Sequence, residues 1–361
     1  MNQYISNIKP RLDYIDIAKA LGMFTIIWGH IIHEGWSNQM VYAFHIPLFF
    51  FISGMVFKAE KYATLWKLIK RRIKTLLLPY LIFSLVTWVL WVGMRILAHD
   101  STDYLYPLLQ TFIAQGSSGY LRHNLPLWFV TCLFAVEILY YVINKLPKLS
   151  AIITCVIVSV LGCYLEMGGG KSIWVTLPWS FDGALVALLF YGSGHWLIGR
   201  VSHERLQQVI QNRSVFGWSV IVILIILLYF SSICNGYVTI GSNKLGKSIA
   251  LFYLNSYVGI VTMILFSVYL SGMKFTGYAQ KVKSFIKWFG QNSFYAMATH
   301  FPIKELLGRL VDKIFHCNVH ADIEYATLVF IITLIMDSFV VWGCCLIKQK
   351  WNIRKKIILL S

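Results

Sequence analysis

The chain has 361 residues, 58% of them hydrophobic and only 13% charged, with a mean hydropathy of +0.65. A water-soluble domain is about a quarter charged, so this composition excludes one and points to an all-α integral membrane protein. A net charge of +17 would suggest nucleic acid in a soluble chain. Here it reads as the Lys and Arg excess of cytoplasmic loops, so the expected partners are membrane lipids, with no nucleic acid.

A spanning helix needs about 20 apolar residues. The expectation is about ten transmembrane helices, over 15–35, 40–58, 75–97, 125–144, 149–166, 174–198, 215–234, 249–271, 286–306 and 324–346. The fifth and ninth carry the weakest signal; the ninth holds Asn292, His300 and Pro302 and reads as a helix that breaks. The N-terminus is polar and basic without a small-residue cleavage site, so the first segment is expected to be retained. Placing both the N and C termini in the cytoplasm leaves only Arg95, Arg122, Lys171, Lys244, Lys247, Lys304, Arg309 and Lys313 outside, out of 32 basic residues. That asymmetry supports ten spans. Residues 1–361 read as a single membrane-embedded domain with no separate soluble domain. The seven cysteines show no metal spacing, and no metal is expected.

Each of the first two segments places a histidine in an apolar run: His30 in the first and His45 in the second. Burying an ionisable group in a bilayer is costly, and such groups usually have a function. The topology sets His30, His45, His300 and Asp182 at one approximate depth, nearer the outer face. Lys19 and His30 are eleven residues apart, close to three helical turns, so they share a face roughly 16 Å apart along the axis. Asp16 lies near that face, and Glu34 is one turn beyond His30, where it is expected to orient the imidazole. The basic run Lys67-Leu-Ile-Lys-Arg-Arg-Ile-Lys74 opens the third segment and suits phosphate recognition.

Blander readings stand beside these. The basic run serves equally as an orientation signal against anionic headgroups. His45 and His300 serve as packed histidines bonded to backbone, and Asp182, after Pro178-Trp-Ser-Phe, serves as a helix cap. Glu137 pairs with a neighbouring helix on that view. Only His30 with Lys19 leans functional alone.

Several motifs occur in a fixed order. Asp13-Tyr-Ile-Asp-Ile-Ala-Lys19 opens the first segment, Gly29-His30 ends it, and Phe44-His-Ile-Pro-Leu-Phe-Phe-Phe-Ile-Ser-Gly54 follows. Then come Arg71-Arg72 ahead of Pro79, Leu127-Trp-Phe-Val-Thr-Cys-Leu-Phe134, Phe181-Asp-Gly-Ala-Leu185, and Gly290-Gln-Asn-Ser293 ahead of His300. Together they make the chain resemble the membrane acyltransferase-3 family over nearly its whole length, in the branch of fucose 4-O-acetylase-like, polysaccharide- and O-antigen-modifying O-acetyltransferases. The family pattern is Arg, ten residues, His. Here Lys19 stands at the Arg position, which keeps the charge and loses the planar fork. The usual Ser-Gly-Tyr or Ser-Gly-Phe reads Ser53-Gly54-Met55.

The resemblance implies an enzyme in the cytoplasmic membrane of a bacterium. It would transfer an acyl group, usually acetyl, from cytoplasmic acetyl-CoA to a sugar hydroxyl of a cell-surface glycan or its lipid-linked precursor. Acetyl-CoA would be the co-substrate, held through its phosphates by Lys70, Arg71, Arg72 and Lys74. On this expectation the pantetheine arm passes Lys19, His30 acts as general base, His45 or His300 donates to the oxyanion, and Glu34 or Asp182 holds an imidazole tautomer. The competing reading is a multi-pass transporter or glycan flippase without acyl transfer.

Overall fold

A computed structural model of the chain describes residues 12–100, 102–116, 120–167, 177–198, 214–242 and 244–358. Its helices are α1 (Asp13–Ile31), α2 (Gly35–Tyr42), α3 (His45–Val56), α4 (Leu65–Arg72), α5 (Leu78–Leu97), α6 (Leu105–Ile113), α7 (Trp128–Ile143) and α8 (Lys148–Met167). They continue with α9 (Phe181–Ile198), α10 (Ser214–Asn235), α11 (Ile249–Gly272), α12 (Gly277–Gln291), α13 (Ser293–Phe315) and α14 (Ile323–Ile358). A small antiparallel hairpin pairs β1 (Val238–Thr239) with β2 (Lys244–Leu245). Among the described residues six helical stretches are long and apolar enough to cross a membrane: Gly35–Val56, Leu65–Leu97, Leu125–Ile143, Phe216–Asn235, Ile249–Gly272 and Ile323–Trp351. This is an all-α, multi-pass membrane protein.

Helix α1 sits at the centre, against α2, α3, α11, α12, α13 and α14. Its sequence is apolar nearly all round, which buries a helix on every side; Ile17, Ala18, Ala20, Met23 and Ile27 are fully buried. Close helix crossings are made by small residues, as is usual where lipid supplies no hydrophobic drive between helices. Gly54 of α3 lies against the Tyr191 carbonyl of α9, and Gly194 of α9 lies against the Phe51 carbonyl of α3. Gly290 of α12 meets the Asp16 carbonyl of α1 in the same way.

Three expected spans are subdivided, each for a local reason. Over 40–58 the chain leaves the helix at Phe44 (φ −137°, ψ −19°) and restarts at His45, with Pro47 in the first turn, where its missing N–H costs nothing. Ahead of 75–97, Pro79 cannot donate to the preceding turn, and the ladder widens into a π-turn at Ile73–Leu77. The break expected within 286–306 is present, at Asn292 (φ −109°, ψ 17°), while the helix ahead of it, α12, begins well before that span, at Gly277. The Asn292 amide donates to the Trp288 carbonyl at 2.8 Å, closing α12, and its oxygen receives the Cys345 thiol at 3.1 Å. None of the seven cysteines forms a disulfide.

Candidate active site

One face of α1 carries Lys19, Met23, Ile26 and His30, at helical spacings of four, three and four residues. All four line a cavity of about 230 Å³. The opposite wall is the matching face of α3, His45, Ile46, Phe49 and Ser53. The N-terminus of α13 contributes Ser293 and Phe294, α7 contributes Trp128 and Phe129, and Tyr42, Tyr237 and Thr239 close the end near His30. The cavity therefore runs along three turns of α1 with a lysine towards one end and a histidine towards the other.

The mouth near His30 is set by how α1 stops. Asn38 of α2 donates to the Gly29 carbonyl at 3.2 Å and to the Ile32 carbonyl at 2.5 Å, satisfying oxygens that the end of a helix leaves open. This folds α2 back over α1 and brings the Tyr42 hydroxyl 3.5 Å from His30 Nδ1. The His300 ring lies 5.6 Å from that of His30, and the Phe301 ring stands edge-on to it at 5.6 Å.

Two neighbouring histidines have their tautomers set by backbone. His45 Nδ1 lies 2.7 Å from the Val41 carbonyl and His300 Nδ1 lies 2.8 Å from the Ala296 carbonyl. A carbonyl only accepts, so each Nδ1 carries the proton and each neutral ring presents a bare Nε2. His300 Nε2 is buried with no hydrogen-bond partner among the described residues. In its neutral form each ring therefore offers a lone pair at Nε2, and in its protonated form an N–H.

Other expected positions fall differently. Helix α1 ends at Ile31 and Ile32 is extended, so the helical register that would bring Glu34 alongside His30 stops short; Glu34 is exposed at the start of α2. Tyr42 takes the place beside the imidazole. Asp182 is buried in the first turn of α9, where Oδ1 accepts the Gly183 N–H at 3.0 Å, and it is not among the residues lining the cavity. Lys70, Arg71 and Lys74 are exposed along α4 and the π-turn, with Lys70 5.1 Å from the Trp66 ring. Arg72 turns inward instead: it is ion-paired with Glu137 of α7, whose carboxylate also accepts the Tyr191 hydroxyl at 3.4 Å. Its charge is paired inside the protein, whereas Lys70, Arg71 and Lys74 stay exposed.

Asp337 of α14 is a buried group that sequence reasoning passed over. It is fully buried, Oδ1 accepts the Thr299 hydroxyl at 2.6 Å, and Thr299 precedes His300. The signal was present: a carboxylate in the interior of the apolar run 324–346, thirteen residues past Glu324. Tyr42 and Tyr237 gave no such signal, since tyrosine near a membrane surface is ordinary. Among the described residues no group of three His, Cys, Asp or Glu side chains is placed to hold a metal.

A sequence profile described as "Acyltransferase domain" (Acyl_transf_3) matches residues 12–347, nearly the whole chain. The chain belongs to the acyltransferase-3 family. No curated protein and no solved structure matches it. As an acyltransferase-3 protein it is a membrane acyltransferase, and the matched region takes in every element that builds the cavity.

Proposed function

We propose that this acyltransferase-3 protein moves an acetyl group from acetyl-CoA, at the cytoplasmic face of a bacterial membrane, to a sugar hydroxyl of a cell-surface glycan or its lipid-linked precursor. The ten-span topology with both termini inside belongs to this reading. The observation that carries it is the cavity along α1, with Lys19 towards one end and His30 towards the other. A donor on one side and an acceptor on the other need such a passage.

Lys70, Arg71 and Lys74 hold the CoA phosphates, a task for exposed cationic groups near the inner surface. The thioester arm enters between α1 and α3 past Lys19 and Ser53. Lys19 serves as a point charge there, with no need for the bidentate fork of Arg. His30 removes the proton of the acceptor hydroxyl as its oxygen attacks the thioester carbonyl. The new C–O bond forms, the C–S bond breaks, and the proton passes from His30 to the departing CoA sulfur. A hydroxyl is a poor nucleophile until that proton leaves, which gives the base its place. Tyr42 fixes the His30 ring through Nδ1, and its hydroxyl or that of Tyr237 is the donor available to the developing oxyanion.

The test is transfer of labelled acetyl in proteoliposomes loaded with acceptor glycan. Wild type moves label from acetyl-CoA to glycan, whereas His30→Ala, folded and inserted, does not. Movement of unmodified glycan without consumption of acetyl-CoA would favour a flippase and overturn the proposal.

A further inference from the structure

A second hollow, of about 330 Å³, lies behind His30 on the far side of Phe301 and Leu125. The two cavities share Leu125, and Phe301 touches the His30 ring on one side while lining the hollow on the other. The floor comes from α13 (Phe301, Glu305, Arg309), one wall from the end of α5 (Trp91, Arg95), and the other from the 120–124 segment (Tyr120, Arg122, His123). Asn124 ties that segment to α13 through the Ala298 carbonyl at 2.7 Å.

The hollow is strongly basic. Arg95, Arg122 and Arg309 line it, and Lys304 stands just behind, paired with Glu305 at 2.6 Å. Against these four stand two carboxylates: Glu305, also 3.8 Å from Arg309, and Asp100, held by Arg95 at 2.5 Å. The hollow also contains a buried polar side chain whose hydrogen bonds the protein does not satisfy. His123 is 1% exposed, and among the described residues neither of its ring nitrogens has a hydrogen-bond partner. Buried polar groups are nearly always bonded, so an imidazole with both nitrogens open in an arginine-lined hollow is available to bond a ligand there.

We propose that this hollow is an oxyanion subsite that holds a phosphate or pyrophosphate group of the acceptor, while the hydroxyl to be acylated reaches past Phe301 to His30. Arginine forks match the paired oxygens of phosphate. The volume exceeds what a single carboxylate fills, and Tyr120 lines it as an aromatic surface for an attached sugar. The word "acceptor" rests on the acyl-transfer reading; the binding of the anion does not.

The test is thermal stability of the purified protein in detergent, titrated with inorganic pyrophosphate. Wild type, Arg122→Gln/Arg309→Gln, Arg71→Gln and His30→Ala are compared. Arg122 and Arg309 are exposed, so their loss leaves the fold intact. The expected result is a rise in melting temperature for wild type, Arg71→Gln and His30→Ala, reduced at least tenfold in apparent affinity for the double variant. Equal shifts in wild type and double variant, loss of the shift in Arg71→Gln alone, or no shift in any would overturn the proposal. The same series with farnesyl pyrophosphate and with glucose 1-phosphate tells a lipid-borne pyrophosphate from a phosphorylated sugar; arginine-dependent binding of either supports the subsite. Anion binding without acetyl transfer by wild type would sink the acyl-transfer reading and leave the subsite standing.

Discussion

The Tyr42 hydroxyl sits 3.5 Å from His30 Nδ1, at the end of a short helix folded back over α1 by Asn38. Removing that hydroxyl by Tyr42→Phe takes away about 1 kcal/mol of positioning, or roughly fivefold in rate. Steady-state kinetics are expected to show the loss in kcat with KM for acetyl-CoA unchanged. A rise in KM alone would place Tyr42 in donor binding.

His30 itself is expected to matter far more. General-base catalysis contributes about 10²–10⁴-fold, so His30→Ala should lower kcat/KM by that range while the melting temperature stays near that of wild type. Glu34→Gln, an exposed change beyond the end of α1, should leave activity close to wild type. A Glu34→Gln enzyme as impaired as His30→Ala would contradict the geometry.

The ion pair between Arg72 and Glu137 is a stability element. Arg72→Met leaves the Glu137 carboxylate, 3% exposed, without its cation. Breaking a buried pair from one side costs about 3–5 kcal/mol. The double change Arg72→Met/Glu137→Leu should recover most of that loss. Unfolding in detergent with increasing denaturant measures both; a single variant as stable as wild type would refute the pairing.

The α3–α9 crossing should be intolerant of a methyl group. A Cβ at Gly54 would overlap the Tyr191 carbonyl, and overpacking of this kind costs about 1–3 kcal/mol. Gly93→Ala, where the added methyl meets nothing within 4 Å, is the matched control. Melting temperatures of the two variants compare them directly.

Burial pushes the His123 imidazole down to about 4 from its ordinary 6.5. The unfolded chain then binds a proton that the folded one refuses, so this contribution to stability is full above pH 6.5 and is lost as pH falls towards 4. His123→Leu should flatten the melting temperature over that window. An unchanged pH profile would remove His123 as its source.

Much of the helical frame was legible because long apolar runs leave few alternatives in a membrane. Legibility ended where a single side chain decides the backbone. A break within 286–306 was legible, but not which of Asn292, His300 and Pro302 makes it; Asn292 does, its amide closing α12 through Trp288. The end of α1 at Ile31 removed Glu34 from His30, and nothing in a periodic pattern marks that stop; Asn38, from another helix, makes it. In contrast, the register of Lys19 with His30 depends only on an unbroken helix, and the cavity follows that face. Arg72 looked like its neighbours Arg71 and Lys70, and only its partner on α7 separates them.

The central claim is acyl transfer from acetyl-CoA to a glycan through His30. Its most direct test is the mass of the cell's glycan made with wild-type protein, with His30→Ala, and with no protein. Acetyl increments are expected with wild type alone. The same glycan mass in all three, or full acetylation by a folded His30→Ala protein, would contradict it.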